Sequence, residues 1–397
     1  MTDRVTVIGW DGTPLSKAAR SALSAATMIA GARHHLALPE VPPTAERVLL
    51  GSIQLAARRI ADHRGAAVVL ADGDPGFFGV VRALRRPEYG LEVEVVPAVS
   101  SVASAFARAA MPWDDAKIVV AHQRNLRRAV NVCRAHHKVA VLTAPGAGPT
   151  ELALMLRDVH RTFVICEGLG TEWEEVSVLT SDKVADHTWR DPNVVLVIGS
   201  PAAPETSGWI AGHPADYPGQ VRGWALHDEQ YAQPASGGPL VRAFTLARLG
   251  PRIGDLVWDI GAGGGGTAIE AARLGAAVIA VDRDEEACAR ITDNARRYGV
   301  QVQVVCGTAP EALEDLPEPD VVRVGGGGAA VVAACALRRP ERIVATVATR
   351  EEADRIRQGL ESAGYTVEAE LLRSARLLAD GGERSWSAAY AVCGQRP

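Results

Sequence analysis

A glycine-rich turn between two apolar stretches sets narrow limits on what this 397-residue chain can fold into. Residues 255–284 read DLVWDIGAGGGGTAIEAARLGAAVIAVDRD. Gly261, Gly263 and Gly266 give the spacing G-x-G-x-x-G, and Asp282 ends the next apolar stretch. A strand, a tight glycine turn, a helix and a second strand that ends in an acid are typical of a nucleotide-binding, doubly wound α/β sheet.

Two classes of ligand fit this turn, a dinucleotide and S-adenosylmethionine. Asp282 does not separate them, because both ligands present ribose hydroxyls that a carboxylate accepts from. Asp259, two residues before the first glycine, favours S-adenosylmethionine, since a carboxylate repels a pyrophosphate and attracts a sulfonium and an ammonium. Glycines allow the backbone to approach the ligand closely. The predicted cofactor-binding residues are Asp259, Gly261, Ala262, Gly263, Gly264, Gly265 and Asp282, with the small-residue turn Gly307, Thr308 and Ala309 facing the adenine. A nicotinamide-dependent oxidoreductase is the alternative.

The composition changes at residues 200–220, where four prolines and three glycines occur without apolar periodicity. This pattern is typical of a linker. We therefore predict one domain over residues 1–202, a linker over 203–220 and a second domain over 221–397. Apolar runs alternate with helical stretches in both domains, which predicts α/β folds with a largely parallel core in the first. The segments 366–373 and 388–394 are expected to form a terminal antiparallel pair.

Composition excludes several classes of protein. A net charge of −5 without a basic stripe argues against a nucleic-acid partner. Six scattered cysteines without a C-x-x-C pair indicate reduced thiols and not disulfides or a zinc site. No leader-like or membrane-spanning apolar run is visible, so a cytoplasmic protein is predicted. Adjacent side chains diverge on helices and strands, so the pairs His34–His35 and His136–His137 are not expected to bind a metal.

Longer motifs add a resemblance to known families. Residues 250–328 resemble C-15-methylating, decarboxylating methyltransferases of cobalamin biosynthesis, through WDIGAG, IEAAR, NARRYGV, G-x-APEAL and the glycines at 325–328. The first domain resembles the C-5-methylating branch of the tetrapyrrole methylases, through VIGWDG, GARHHL, DGDPGFFG, VPAVSSVASAFARAAMPWDDA, CEGLG and PNVVLVIG. In this order the two resemble the fused precorrin-6B C(5,15)-methyltransferase (decarboxylating) family.

The resemblance implies a fold, a reaction and a set of residues. It implies a tetrapyrrole-methylase fold of two α/β subdomains, followed by a doubly wound, Rossmann-like methyltransferase. The implied reaction is methylation of a precorrin at carbons 5 and 15 with decarboxylation of the ring C acetate, using two S-adenosylmethionine sites in a homo-oligomer. In the first domain it implies cofactor-binding residues Gly73, Asp74, Pro75, Ser100 and Ser101, and a substrate trough lined by Asp11 and Gly12.

Basic side chains are expected to hold the acetate and propionate groups of such a substrate by charge-assisted hydrogen bonds. The candidates are His122, Arg124, Arg127, Arg128 and Arg242. Departures from the family motifs occur at GWDG, AHQR and SGGPLVR, and at Arg323, where an apolar residue is common. These departures leave open a protein with one catalytically inactive half. An RNA methyltransferase is a second alternative, since the tetrapyrrole-methylase fold also serves an RNA-modifying branch.

Overall fold

The computed structural model describes residues 4–199, 208–213, 221–231, 238–378, 381–385 and 388–397. Apart from residues 208–213, the predicted linker over 203–220 lies outside the described residues. The described chain forms three large β-sheets with flanking helices and one small two-stranded sheet. None of its described helices has the length and apolar character that crossing a membrane requires.

The first sheet consists of five parallel strands in the order β3-β2-β4-β1-β5. Its central strands are aliphatic and fully covered, as parallel strands are when both faces are packed. Their carboxyl ends, which carry the predicted functional loops, therefore open at one edge. The strands are β1 (Arg4–Trp10), β2 (Met28–Gly31), β3 (Glu46–Leu49), β4 (Ala67–Asp72) and β5 (Glu92–Val96). The helices are α1 (Lys17–Ala25), α2 (Arg33–Leu36), α3 (Ile53–Asp62), α4 (Val81–Leu84) and α5 (Ser101–Arg108).

The second sheet has the order β6-β7-β10-β8-β9 and is mostly antiparallel. Only β6 and β7 run parallel, so the prediction of a largely parallel core is correct for the first sheet and wrong for the second. One reason is the short connection from β8 to β9, because a parallel crossover needs a dozen or more residues, and the other antiparallel pairings arise where β10 lies between β7 and β8. The strands are β6 (Lys117–Val120), β7 (Lys138–Leu142), β8 (Thr162–Glu167), β9 (Glu175–Thr180) and β10 (Asn193–Ile198). The helices are α6 (Leu126–Ala135), α7 (Pro149–Met155) and α8 (Ser181–Val184).

The third sheet has seven strands in the order β13-β12-β11-β14-β15-β19-β16. The first five are parallel, and β19 runs antiparallel to both β15 and β16, which confirms the predicted terminal pair. The strand order reverses between β11 and β14, where ligands bind in sheets of this kind. The strands are β11 (Leu256–Ile260), β12 (Ala277–Asp282), β13 (Gln303–Cys306), β14 (Val321–Val324), β15 (Arg342–Val347), β16 (Thr366–Leu372) and β19 (Ala389–Gln395). The helices are α9 (Gly238–Leu249), α10 (Gly266–Arg273), α11 (Glu285–Arg297), α12 (Gly328–Leu337) and α13 (Arg350–Ser362); the small sheet pairs β17 (Ala375–Leu377) with β18 (Glu383–Ser385).

Helix α6 contacts the part of the chain that forms the third sheet. Asn131 donates a hydrogen bond to the carbonyl of Gly254 at 3.0 Å. Arg127 forms an ion pair with Asp320, whose side chain is largely buried. The structure thus places Arg127 in a contact between the two halves of the chain, and the prediction that it faces substrate is wrong.

Candidate functional sites

The glycine loop lies at the reversal point of the third sheet, directly after β11. Gly261, Gly263 and Gly265 have φ values of +65°, +59° and +78°, which only glycine adopts readily. A Cβ on Gly261 would lie 2.8 Å from the backbone nitrogen of Gly326, in the loop after β14. The glycines are therefore required by the backbone conformation and by the close approach of two loops, as the sequence pattern indicates.

Asp282 joins the loops that surround this point. The backbone nitrogen of Gly263 donates to its Oδ2 at 2.8 Å, and that of Asp284 donates to its Oδ1 at 3.1 Å. The backbone nitrogen of Gly307 donates to the carbonyl of Asp282 at 2.9 Å. Three groups of predicted residues, the glycine loop, the acid and the turn that contains Thr308, thus meet at the carboxyl ends of β11, β12 and β13.

Asp259 has a partner that the sequence interpretation did not give it. Its side chain is fully buried, and its Oδ1 accepts a hydrogen bond from Nη1 of Arg323 at 2.8 Å. Arg323 also donates to the carbonyl of Gly261 at 3.0 Å. The acid predicted beside the glycines is therefore present, but its charge is paired with a guanidinium. Within this pair, Oδ2 of Asp259 and Nε of Arg323 are buried and have no hydrogen-bond partner among the described residues.

Arg242 lies inside the protein and not at the mouth of a cleft. It is 3% exposed, and its guanidinium donates to the carbonyl of Leu226 and lies 3.3 Å from Asp228. The ring of Tyr231 covers it at 4.8 Å. These contacts fix the segment 221–231 to α9. The prediction that Arg242 lies at the mouth of a cleft is wrong, because its side chain is buried among the described residues, and contact with substrate stays a prediction.

The predicted cofactor residues of the first domain converge at the carboxyl edge of the first sheet. Gly73, with φ of +60°, donates a backbone hydrogen bond to the carbonyl of Trp10 at 2.7 Å. A Cβ on Gly73 would lie 2.8 Å from the backbone nitrogen of Ser101, so this loop touches the start of α5. Ser100 caps α5, with its hydroxyl accepting from the backbone nitrogen of Ala103 at 3.1 Å.

The two predicted acids of this edge stabilise turns. Oδ1 of Asp74 accepts from the backbone nitrogen of Gly76 at 2.8 Å, which holds the turn that includes Pro75. Asp11 accepts from Thr13 through one oxygen and from the backbone nitrogen of Val99 at 3.1 Å through the other. Burial alone would raise the pKa of Asp11, but hydrogen bonds from Thr13 and Val99 lower it below its ordinary value. Asp11 therefore stays ionised while it ties the β1 loop to the β5 loop.

The remaining predicted substrate residues lie on the second sheet or face it. Gly12, with φ of +87°, packs against the backbone of Gly170 in the CEGLG loop that follows β8. This contact brings the edge of the first sheet against the second sheet. His122 and Arg124 are exposed after the carboxyl end of β6, and their contacts with substrate stay predictions.

Three residues that the sequence interpretation did not connect form a cluster at the same edge. Nε2 of His34 lies 2.8 Å from Oδ1 of Asp72, and Nε2 of His35 lies 3.0 Å from the same oxygen. The two imidazole centroids are 4.0 Å apart, and Trp10 lies within 6 Å of both. The expectation that the side chains of His34 and His35 diverge is wrong, because both turn toward the end of β4. The feature that could have indicated this cluster is the pairing of β2 with β4, because the two histidines follow β2 and Asp72 ends β4.

The hydrogen bond to Nδ1 of His35 determines whether this cluster suits metal binding or proton transfer. The backbone nitrogen of Ala32 donates to Nδ1 of His35 at 3.2 Å, so the neutral ring carries its proton on Nε2. The ligand atoms of His34, His35 and Asp72 lie within 4.8 Å of one another, as in a metal site. A protonated Nε2 has no lone pair for a metal, so the arrangement suits proton transfer better. Burial would raise the pKa of Asp72, but the contacts and charges of the two histidines lower it well below its usual range.

Phe78 is a second residue that the sequence interpretation missed. Its ring is 53% exposed, while the neighbouring Phe77 packs against the core of the second sheet. Its φ of +53° is rare for a bulky residue. The loop thus presents an aromatic face beside Asp74, at the edge where the predicted trough lies.

Comparisons with known proteins match both halves of the chain. Residues 11–185 match the family described as Tetrapyrrole (Corrin/Porphyrin) Methylases, and residues 237–395 match the Precorrin methyltransferase domain. A Precorrin-6Y C(5,15)-methyltransferase [decarboxylating] of Sinorhizobium sp. is 32% identical over 97% of this chain and 93% of its own. This chain belongs to the precorrin-6Y C(5,15)-methyltransferase family. The predicted family and enzyme class are confirmed.

Two relatives of this precorrin-6Y methyltransferase family are named for single reactions. A Cobalt-precorrin-7 C(5)-methyltransferase of Salmonella typhimurium is 34% identical over 42% of this chain and 87% of its own. A Probable cobalt-precorrin-6B C(15)-methyltransferase (decarboxylating) of Pyrobaculum calidifontis is 40% identical over 32% of this chain and 71% of its own. The matched ranges 11–185 and 237–395 contain the two clusters of predicted site residues.

Proposed function

We propose that this chain transfers methyl groups from S-adenosylmethionine to carbons 5 and 15 of a precorrin and removes the ring C acetate carboxyl as carbon dioxide, in cobalamin biosynthesis. The observation that carries the proposal is the similarity to the Sinorhizobium enzyme over 97% of the chain. The two family matches support it, because they follow one another in the order of the fused enzyme.

We further propose that each half carries its own cofactor site and one of the two methylations. Residues 1–202 would methylate carbon 5, and residues 221–397 would methylate carbon 15 and decarboxylate. Two observations support this division. The loop residues form two separate clusters on different sheets, and relatives with one reaction each are similar to only 42% and 32% of the chain.

The residues of the glycine loop fit S-adenosylmethionine. Oδ2 of Asp259 is buried without a partner, which suits the α-ammonium of the ligand, and the carboxylate of Asp282 suits the ribose hydroxyls. The bound cofactor supplies an electrophilic methyl group on a sulfonium. The loops around Asp282 then have to hold the methyl group in line with the ring carbon and exclude water. Decarboxylation uses the conjugated macrocycle as the electron sink.

Mass spectrometry of an incubation of the protein with precorrin-6Y and S-adenosylmethionine tests the proposal. We expect a product that has gained two methyl groups and lost one carbon dioxide. Absence of any methylated product, with binding of NADH instead of S-adenosylhomocysteine, would contradict it. RNA in place of the precorrin serves as the control substrate, and light scattering measures the proposed homo-oligomer.

The Asp259–Arg323 pair favours one alternative, a C-terminal half without activity. Arg323 cancels the charge that would attract the cationic donor. Titration calorimetry with S-adenosylhomocysteine separates the two possibilities by stoichiometry. Two sites per chain support the bifunctional enzyme, whereas one site, together with a product that has gained a single methyl group, supports the inactive half.

A further inference from the structure

The His34–Asp72–His35 cluster lies next to the two groups of residues assigned to the N-terminal site. Asp72 ends β4 directly before Gly73 and Asp74, which are assigned to the cofactor. Trp10, whose ring lies 5.9 Å from that of His34, comes directly before Asp11, which is assigned to the substrate. The cluster therefore lies beside residues of both groups.

The contacts assign the same neutral tautomer to the two rings but different surroundings. His35 is buried and accepts from Ala32 through Nδ1, and its Nε2 lies 3.0 Å from Oδ1 of Asp72 without forming a hydrogen bond. His34 makes a 2.8 Å hydrogen bond to the same oxygen through Nε2, and an ionised carboxylate only accepts. The neutral His34 ring thus carries its proton on Nε2. Its Nδ1 has a lone pair and no partner in the described chain, and 37% of the side chain is exposed.

The reaction proposed for this half releases a proton. Carbon 5 is a bridging carbon of the macrocycle that carries hydrogen. A carbon–methyl bond forms as the sulfur–methyl bond breaks, and the electron pair of that bond stays on sulfur. The C-5–H bond must then break, its electron pair returning to the conjugated ring. One proton is left over, and a base has to accept it.

We propose that His34 is the general base that removes this proton through Nδ1, and that Asp72 and His35 are positioning residues. A carboxylate that holds the proton-bearing nitrogen of an imidazole fixes its tautomer and stabilises the imidazolium formed. His35 holds Asp72 in place by approaching the same oxygen. The inference rests on the proposed function. The proton passes from His34 to solvent, which reaches the half-exposed ring.

His34→Gln tests the inference in the full-length chain, with the two methylations measured separately by mass spectrometry. We expect the rate of C-5 methylation to fall by about 10²- to 10⁴-fold, the usual contribution of a general base. Methylation at C-15 and carbon dioxide release should not change, because they depend on the C-terminal half. Binding of S-adenosylhomocysteine should not change either, because it depends on an intact fold. His63→Gln is the matched control, since this ring lies on the same half and, among the described residues, forms its hydrogen bond with the hydroxyl of Thr27, at 2.8 Å.

A substrate with deuterium at C-5 separates a base from a merely structural residue. In His34→Gln, and to a smaller extent in Asp72→Asn, C–H cleavage should become rate-limiting and a primary isotope effect should appear. Added imidazole should restore C-5 methylation in His34→Ala. Retention of the C-5 rate within about twofold of the wild type, or a loss without isotope effect and without rescue, would overturn the inference. A wild-type protein that does not methylate C-5 at all would instead overturn the proposed function, and this inference with it.

Discussion

The buried pair of Asp259 and Arg323 permits a quantitative test of how the C-terminal half is stabilised. The two residues lie opposite each other on the neighbouring parallel strands β11 and β14. Asp259 is fully buried and Arg323 is 8% exposed, so water screens neither charge. Replacing Arg323 with methionine keeps most of the volume and leaves the carboxylate of Asp259 without its cation.

We expect Arg323→Met to lower the free energy of unfolding of this half by about 3–5 kcal/mol, the cost of leaving a buried charge unpaired. The double variant Asp259→Asn with Arg323→Met removes both charges. It should recover most of the loss, because a buried ion pair is worth little relative to neutral groups of similar size. The coupling free energy between Asp259 and Arg323 should therefore be of the same order as the loss in Arg323→Met.

Hydrogen exchange of peptides that cover β11 and β14 measures this free energy locally, independently of the N-terminal half. Arg296→Met is the control, because Arg296 is 75% exposed and pairs with Asp293 on the surface of α11. Such a surface pair contributes about 0–1 kcal/mol. The reasoning is refuted if Arg323→Met changes exchange no more than Arg296→Met does, or if the double variant is as unstable as the single one.

The remaining predictions concern the glycine loop and His136, which directly follows α6. Gly261→Ala should abolish C-15 methylation and carbon dioxide release but not C-5 methylation, because an alanine at φ of +65° would crowd Gly326. Mass spectrometry measures both products. Gly359→Ala is the control, because a Cβ added at Gly359 would have no atom of the described residues within 4 Å. An unchanged rate of C-15 methylation in Gly261→Ala would contradict the prediction. Burial, followed by the charges of Lys117, His137 and His213, lowers the pKa of His136 from 6.5 to about 4, so the unfolded chain binds this proton first as the pH falls. The free energy of unfolding should therefore decrease as the pH falls below about 6.5, and the loss should reach about 3 kcal/mol near pH 4. This figure takes about 1.4 kcal/mol for each tenfold change in proton affinity. In urea unfolding His136→Asn should show a smaller loss than the wild type, and an equal loss would contradict the assignment.

The strands that carry long aliphatic runs could be predicted from the sequence, and several shorter ones could not. Strand β2 is only four residues long and entirely buried, so no alternation marks it. Strand β9 pairs with β8 as a hairpin, and the direction of pairing is not visible in either segment. The largely parallel core was therefore predicted for both N-terminal sheets and exists in only one of them.

The loops of the candidate sites could be predicted because residues after parallel strands meet at one edge of the sheet. This rule is enough to bring Asp282 to the glycine loop and Gly73 to Ser101. The partners of the acids were missed, because they depend on which strands are neighbours. Nothing in the sequence shows that Arg323 lies opposite Asp259, and without β2 nothing connects His34 to Asp72.

Each half places an acid near the end of a strand next to a basic residue. In the C-terminal half Asp259 on β11 pairs with Arg323 on the neighbouring strand β14, and in the N-terminal half Asp72 at the end of β4 pairs with His34, which follows the neighbouring strand β2. The two pairs have different consequences. Arg323 carries a guanidinium that stays charged at every physiological pH, so its pairing with Asp259 fixes the loop and cannot move a proton. His34 carries an imidazole that keeps a lone pair on Nδ1 while its Nε2 proton is held by Asp72, so in our proposal this pairing creates a base. The difference matches the chemistry proposed for each half. At the C-terminal site the electron pair that carbon dioxide leaves on the macrocycle can form the new bond from carbon 15 to methyl, so that step requires no base, whereas replacement of hydrogen by methyl at C-5 requires one.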